Sequence, residues 1–120
     1  HSPPPARGYL LGAAELRSMR EGSVLVNTAR GSLIDTGALV SALGDNRPGF
    51  AALDVFEQEP PDVSVFEPVG ERVILTPHMS WYTEESELAL RRQAAAEARR
   101  ILDSEPPLHA VVTPAAAEIG

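Results

Sequence analysis

The sequence predicts an α/β fold built on a mostly parallel sheet with flanking helices. Three observations carry this prediction. Short segments are apolar at consecutive positions: Val24-Leu25-Val26, Phe50 to Phe56 and Val73-Ile74-Leu75. A helically spaced segment separates the first two, and glycines or prolines punctuate the boundaries. Consecutive apolar positions suit a strand covered on both faces, and strand–helix–strand is the βαβ pattern.

Composition narrows the field. The chain has 120 residues, is 43% hydrophobic and 22% charged, and suits a soluble chain with a real core. No apolar run is long enough to span a membrane and no secretory signal pattern opens the sequence, so a cytoplasmic location is expected. Cysteine is absent, which excludes disulfides, thiolate metal sites and a cysteine nucleophile; no metal is expected. A net charge of −7 argues against nucleic-acid binding, which needs a surplus of cations. All ten basic residues are arginine, pointing to a GC-rich, bacterial genome.

Element by element, His1-Ser2-Pro3-Pro4-Pro5 predicts an extended, polyproline-like path. Ala13, Leu16 and Met19 have helical spacing over 13–20, with Gly22 as the stop. Val24–Val26 then forms a strand, broken by Asn27 to Ser32. A second helix runs from Thr36 to Leu43, capped by Asp35 and stopped by Gly44. Phe50–Phe56 is the next strand. Residues 57–71 hold three prolines and five acidic groups and read as a long loop. Val73–Leu75 is a third buried strand, ended by Thr76-Pro77. The last helix spans Glu84 to Asp103, with Thr83 as cap and Leu90, Ala94, Ala98 and Ile101 as its apolar stripe. Val111-Val112 is a possible terminal strand.

Parallel sheets bind ligands outside the carboxyl ends of their strands. That edge carries Thr28-Ala29-Arg30-Gly31, Asp54 to Glu59, and Pro77-His78. Arg30 offers a permanent charge and a planar fork matching a carboxylate. Gly31 would permit the turn that aims it. His78 suits proton transfer near neutral pH. Glu59 beside it would fix its tautomer and orient its ring. Taken singly, each residue also reads as an ordinary surface group, or as a packed histidine. Asp54 lies in an apolar segment, where a lone charge is costly, so it needs either an arginine or a bound cationic ring.

The blocks Val24 to Asp35, Ala52 to Pro60 and Leu75-Thr76-Pro77-His78 together resemble the D-isomer-specific 2-hydroxyacid dehydrogenases over residues 8–103. The resemblance implies the second half of a doubly wound, Rossmann-like parallel sheet. Residues 1–105 would be the C-terminal part of the NAD-binding domain, and 106–120 a return segment toward a substrate domain. It further implies that Arg30 binds the substrate carboxylate and carbonyl, His78 is the acid/base, and Glu59 is its partner. Thr28, Ala29 and Arg30 would line the cofactor site, Asp54 would face the nicotinamide, and His78, Met79, Ser80 and Trp81 would close over it. The implied reaction is hydride transfer between NAD, with NADP left open, and a small 2-oxo or 2-hydroxy acid, in a homodimer. Trp81-Tyr82-Thr83-Glu84 is similar to the C-terminal-binding-protein corepressor branch, so a non-catalytic, NAD-sensing interaction module is the alternative; a purely structural module is a third.

No Gly-x-Gly-x-x-Gly occurs, so the adenine half of NAD has no familiar cradle in this sequence. His1 to Arg7 resembles a shortened His-x-Pro-Leu-Thr-Pro loop, as though the chain begins in mid-domain. These 120 residues alone are expected to bind NAD weakly, to show no turnover, and to pair through exposed strand edges.

Overall fold

The computed structural model describes residues 8–108 and 110. The expected proline path at 1–7 and the strand at Val111-Val112 lie outside the described residues. Two units divide after Trp81.

In the first unit, Ala13–Ser18 forms helix α1, shorter than its apolar spacing predicts, and buries Leu16. Glu15 turns back to accept the Gly12 N–H at 3.0 Å, satisfying a donor the helix leaves open. Gly22, at φ +71, takes the tight turn into strand β1, Val24–Asn27. Helix α2, Thr36–Gly44, begins where Asp35 accepts the Ala38 N–H at 2.9 Å, as predicted for its cap. Strand β2 is Phe50–Leu53 and β3 is Val73–Leu75. The three strands are parallel in the order β1-β2-β3, with Val26 opposite Ala52 and Ala52 opposite Ile74.

Register explains what is buried. Leu25, Ala51, Leu53, Val73 and Leu75 pack with Leu16 of α1 and with Leu39, Ala42 and Leu43 of α2. The opposite pleat carries Val24, Val26 and Ile74, which are 61%, 62% and 55% exposed. Within the described residues of this unit, α1 and α2 cover one face, where the sequence reading expects cover on both. Alternation of side chains along a strand sets this split.

The segment read as a loop over 57–71 is also corrected. Val63–Arg72 consists of 3₁₀ turns interrupted by a kink at Val69, capped by Asp62 accepting the Ser64 N–H at 3.1 Å. It buries Phe66 and Val69 in the core. Val69 departs from helical geometry at φ −127, ψ 20, so a kink there, rather than a regular turn, brings both residues to the core. Arg72 at its end donates to the Leu43 carbonyl and Asn46 Oδ1, both at 3.1 Å, closing the end of α2.

In the second unit, helix α3 spans Glu84–Leu102, one residue from prediction. Thr83 Oγ1 caps it by accepting the Ser86 N–H at 3.0 Å, and three glutamates sit in its first turn, where the helix dipole favours them. Leu90 and Ile101 of its apolar stripe are exposed. No helix among the described residues is long and apolar enough to cross a membrane.

Candidate active site

Strand β1 ends on Asn27, a buried amide that fixes the loop carrying Arg30. Its Oδ1 accepts the Ala29 N–H at 3.1 Å and its Nδ2 donates to the Arg30 carbonyl at 3.0 Å. Such side-chain turns are a standard use of asparagine. The sequence reading treats Asn27 only as a strand breaker and misses this clamp, although its place between a strand and Arg-Gly is the signal. The Arg30 guanidinium donates to the Ala29 carbonyl at 2.7 Å and has no carboxylate partner among the described residues. Thr28 and Ala29 are exposed at the same edge.

Gly31 is required for space rather than for a turn. The described glycines with positive φ are Gly8 and Gly22, so the expectation that Gly31 supplies unusual dihedral freedom is corrected. A Cβ on Gly31 would overlap the Phe56 carbonyl and come within 2.5 Å of Glu57 N. Gly31→Ala is expected to destabilise the chain by about 1–3 kcal/mol, because backbone must shift to admit the methyl group. Urea unfolding of the two proteins checks this.

Glu57 ties this layer together. Its Oε2 accepts the Thr36 N–H at 3.2 Å, and it hydrogen-bonds the Tyr9 hydroxyl, whose pKa is pushed up to about 12 by that bond first and by burial second. Two residues on, Glu59 Oε1 accepts the Phe56 N–H at 3.1 Å and its Oε2 lies 2.7 Å from His78 Nδ1. The histidine contact first, and the Phe56 N–H second, hold the Glu59 carboxyl below its ordinary pKa. Glu59 is thus ionised at neutral pH and accepts the hydrogen on Nδ1, which leaves Nε2 as the ring's other nitrogen for proton transfer.

His78 sits at φ 50, a left-handed backbone that costs an L-residue roughly 1–2 kcal/mol. Asp54 grips the chain around it. Oδ1 accepts from Thr76 Oγ1 at 2.5 Å and from the Met79 N–H at 2.9 Å; Oδ2 accepts the Ser80 N–H at 2.8 Å. Asp54 follows β2 rather than lying within it, and β2 ends three residues earlier than predicted, at Leu53. No arginine pairs with it among the described residues, so that half of the expectation is corrected: its partners within the protein are this hydroxyl and two backbone donors. The sequence gives no pointer to Thr76, which reads there only as a strand end. Met79 and Trp81 are exposed beside His78, and Trp81 Nε1 donates to the His78 carbonyl at 2.9 Å.

The Thr76 hydroxyl foremost, helped by the Met79 and Ser80 N–H groups and opposed by burial, depresses the Asp54 pKa. A carboxyl depressed in the folded state adds stability that is full above the unfolded carboxylate range, about 3.9 for Asp, and fades as pH falls. The urea midpoint of the chain is therefore expected to hold from neutral pH down to about pH 5 and to drop below that range, and the drop is shallower in Asp54→Asn.

Arg30, Gly31, Ser32, Val55, Phe56, Glu57, Glu59 and His78 line one open cleft of about 320 Å³. The three side chains singled out from sequence, Arg30, Glu59 and His78, share it. The neighbouring rim offers a Thr28 hydroxyl without a hydrogen bond among the described residues, and the half-exposed Trp81 indole. These are neutral polar and flat apolar groups, and the sequence carries no Gly-x-Gly-x-x-Gly.

The D-isomer specific 2-hydroxyacid dehydrogenase, NAD binding domain model matches residues 3–80. A glyoxylate reductase of Aeropyrum pernix is 42% identical over 87 residues, which cover 72% of this chain and 26% of that protein. A solved glyoxylate reductase from Paecilomyes thermophila superposes with a TM-score of 0.76 at 34% identity, covering 86% of this chain and 31% of that one. The NAD-complexed D-isomer specific 2-hydroxyacid dehydrogenase of Lactobacillus delbrueckii gives 0.72 at 27% identity, covering 90% and 37%. This chain spans about a quarter to a third of the length of the curated relatives it matches. With the family model covering well over half of its residues, the chain belongs to the D-isomer specific 2-hydroxyacid dehydrogenases, within their NAD binding domain.

Proposed function

We propose that this chain is the nicotinamide-side half of the NAD-binding domain of an oxidoreductase that interconverts small 2-oxo and 2-hydroxy acids. One observation carries the reading: a Glu59–His78 pair at 2.7 Å faces, across one cleft, an arginine with no carboxylate partner among the described residues. An ion-paired arginine would have its fork filled; this one is available to a substrate carboxylate.

Arg30 binds that carboxylate and polarises the adjacent carbonyl. Glu59 holds His78 by Nδ1, so that Nε2 gives a proton to the substrate oxygen in reduction and removes it in oxidation. Thr28, Ala29, Asp54, Met79, Ser80 and Trp81 form the rim on the nicotinamide side. Bound NAD(H) supplies the exchange of hydride. The adenine half is held by residues beyond this chain, which spans only 26% to 33% of its curated relatives. The 120 residues alone therefore bind NAD weakly and do not turn over.

The test is NADH oxidation by a full-length polypeptide carrying this chain. Glyoxylate, pyruvate and hydroxypyruvate are expected to support it, and simple carboxylic acids lacking the 2-oxo group are not. Tight cofactor binding with no oxidation by any short 2-oxo acid contradicts the proposal.

A further inference from the structure

We propose that Asp54 is a positioning residue for His78: its carboxylate holds residues 76–80 in the conformation that brings the imidazole to Glu59. The inference rests on the reading of His78 as the proton-transfer group and adds a residue that acts through it.

Asp54 has a firm base. Its own N–H donates to the Asn27 carbonyl at 3.0 Å, and the Thr76 N–H donates to the Leu53 carbonyl at 2.9 Å, extending the parallel ladder to both sides of the loop's root. From that base its two oxygens take donors two residues before His78 and one and two residues after it. The bracketed residue is the one with left-handed backbone. A conformation of that kind persists when its surroundings over-determine it. The constraint also runs the other way. Asp54 is 3% exposed, and no arginine or histidine pairs with it among the described residues. The buried charge is therefore compensated by the loop's hydroxyl and amide donors, and the loop's closure is coupled to that charge. The His78 N–H to Thr76 carbonyl bond, at 3.1 Å, and the Trp81 bond to the His78 carbonyl lie within the loop and do not attach it to the sheet.

Asp54→Asn keeps the shape but turns an amide donor toward at least one of the three donors. The readout is the ratio of the Nδ1–H to Nε2–H tautomers of the His78 ring, from ¹⁵N shifts of the 120-residue chain without cofactor at one alkaline pH. Wild type is expected to be predominantly Nδ1–H, the form Glu59 accepts from. Asp54→Asn is expected to lower the ratio about tenfold, the scale set by losing a hydrogen bond to a charged group. Thr76→Val is expected to lower it in the same direction, and Thr76→Ser to restore it. A dispersed amide spectrum of the core establishes that each variant is folded. If Asp54→Asn does not fold, the Thr76 pair decides.

An unchanged ratio in folded Asp54→Asn, or in Thr76→Val where only that variant folds, overturns the proposal and leaves Asp54 to a cofactor contact alone. Because no cofactor or turnover enters the measurement, its result is independent of the proposed activity. Loss of 2-oxo acid reduction with the tautomer effect intact would sink the activity and keep the positioning role.

Discussion

On the proposed function, replacing His78 by alanine in a full-length polypeptide carrying this chain is expected to lower kcat by about 10²–10⁴, the range a positioned proton-transfer group supplies. The effect falls on kcat more than on KM, because the ring meets the substrate oxygen most strongly where charge develops, and uniform binding would have moved KM alone. Glu59→Gln retains the size of the partner and loses its charge. It leaves His78 in place but weakens the preference for the Nδ1–H form, so its loss is smaller than that of His78→Ala. Steady-state NADH oxidation with one 2-oxo acid measures both variants. Near-normal turnover of His78→Ala removes this residue from the chemistry.

Arg30→Ala is expected to lower kcat/KM by a hundredfold or more. Hydrogen bonds to charged groups contribute about 1.5–3 kcal/mol each, and a fork engaging carboxylate and carbonyl makes at least two. The loss extends to KM, unlike that of His78, because the carboxylate is bound before and during hydride transfer. Arg30→Lys is expected not to restore activity, since a point charge cannot reproduce two parallel bonds. The same assay, with the 2-oxo acid varied at saturating NADH, separates the two parameters. A lysine variant with wild-type kcat/KM contradicts the bidentate role.

The shared cleft of the candidate residues is more legible in the sequence than the groups that support it. Arg30, Glu59 and His78 each follow a strand, and the rule that ligands meet parallel sheets at strand carboxyl ends brings them together without knowledge of any contact. Helix ends were legible for a related reason: Asp35 and Thr83 cap by local geometry that the residue types announce. What failed depends on partners distant in the chain. Thr76 is 22 residues from Asp54, and a threonine before a proline carries no mark of a buried carboxylate beside it. The reading of Val24-Leu25-Val26 as doubly covered took apolar composition as evidence of burial, but composition does not reveal which neighbouring element does the covering. The kinked 3₁₀ segment is masked by its own chemistry, because Asp62, Glu67, Pro68 and Glu71 around Phe66 and Val69 mimic a loop although those two residues are buried in the core. Gly31 was singled out for the wrong property, dihedral freedom, since sequence shows a missing side chain but not the backbone that occupies its space.

The convergence of Arg30 and His78 on one ligand is tested most directly by titrating the NAD-bound full-length polypeptide with oxamate, an unreactive 2-oxo-acid mimic, while following the Arg30 side-chain N–H and the His78 ring signals by NMR. Both sets are predicted to shift along a single saturation curve with one Kd. Signals that respond at different concentrations, or an Arg30 resonance that stays fixed while oxamate binds, would contradict a shared cleft.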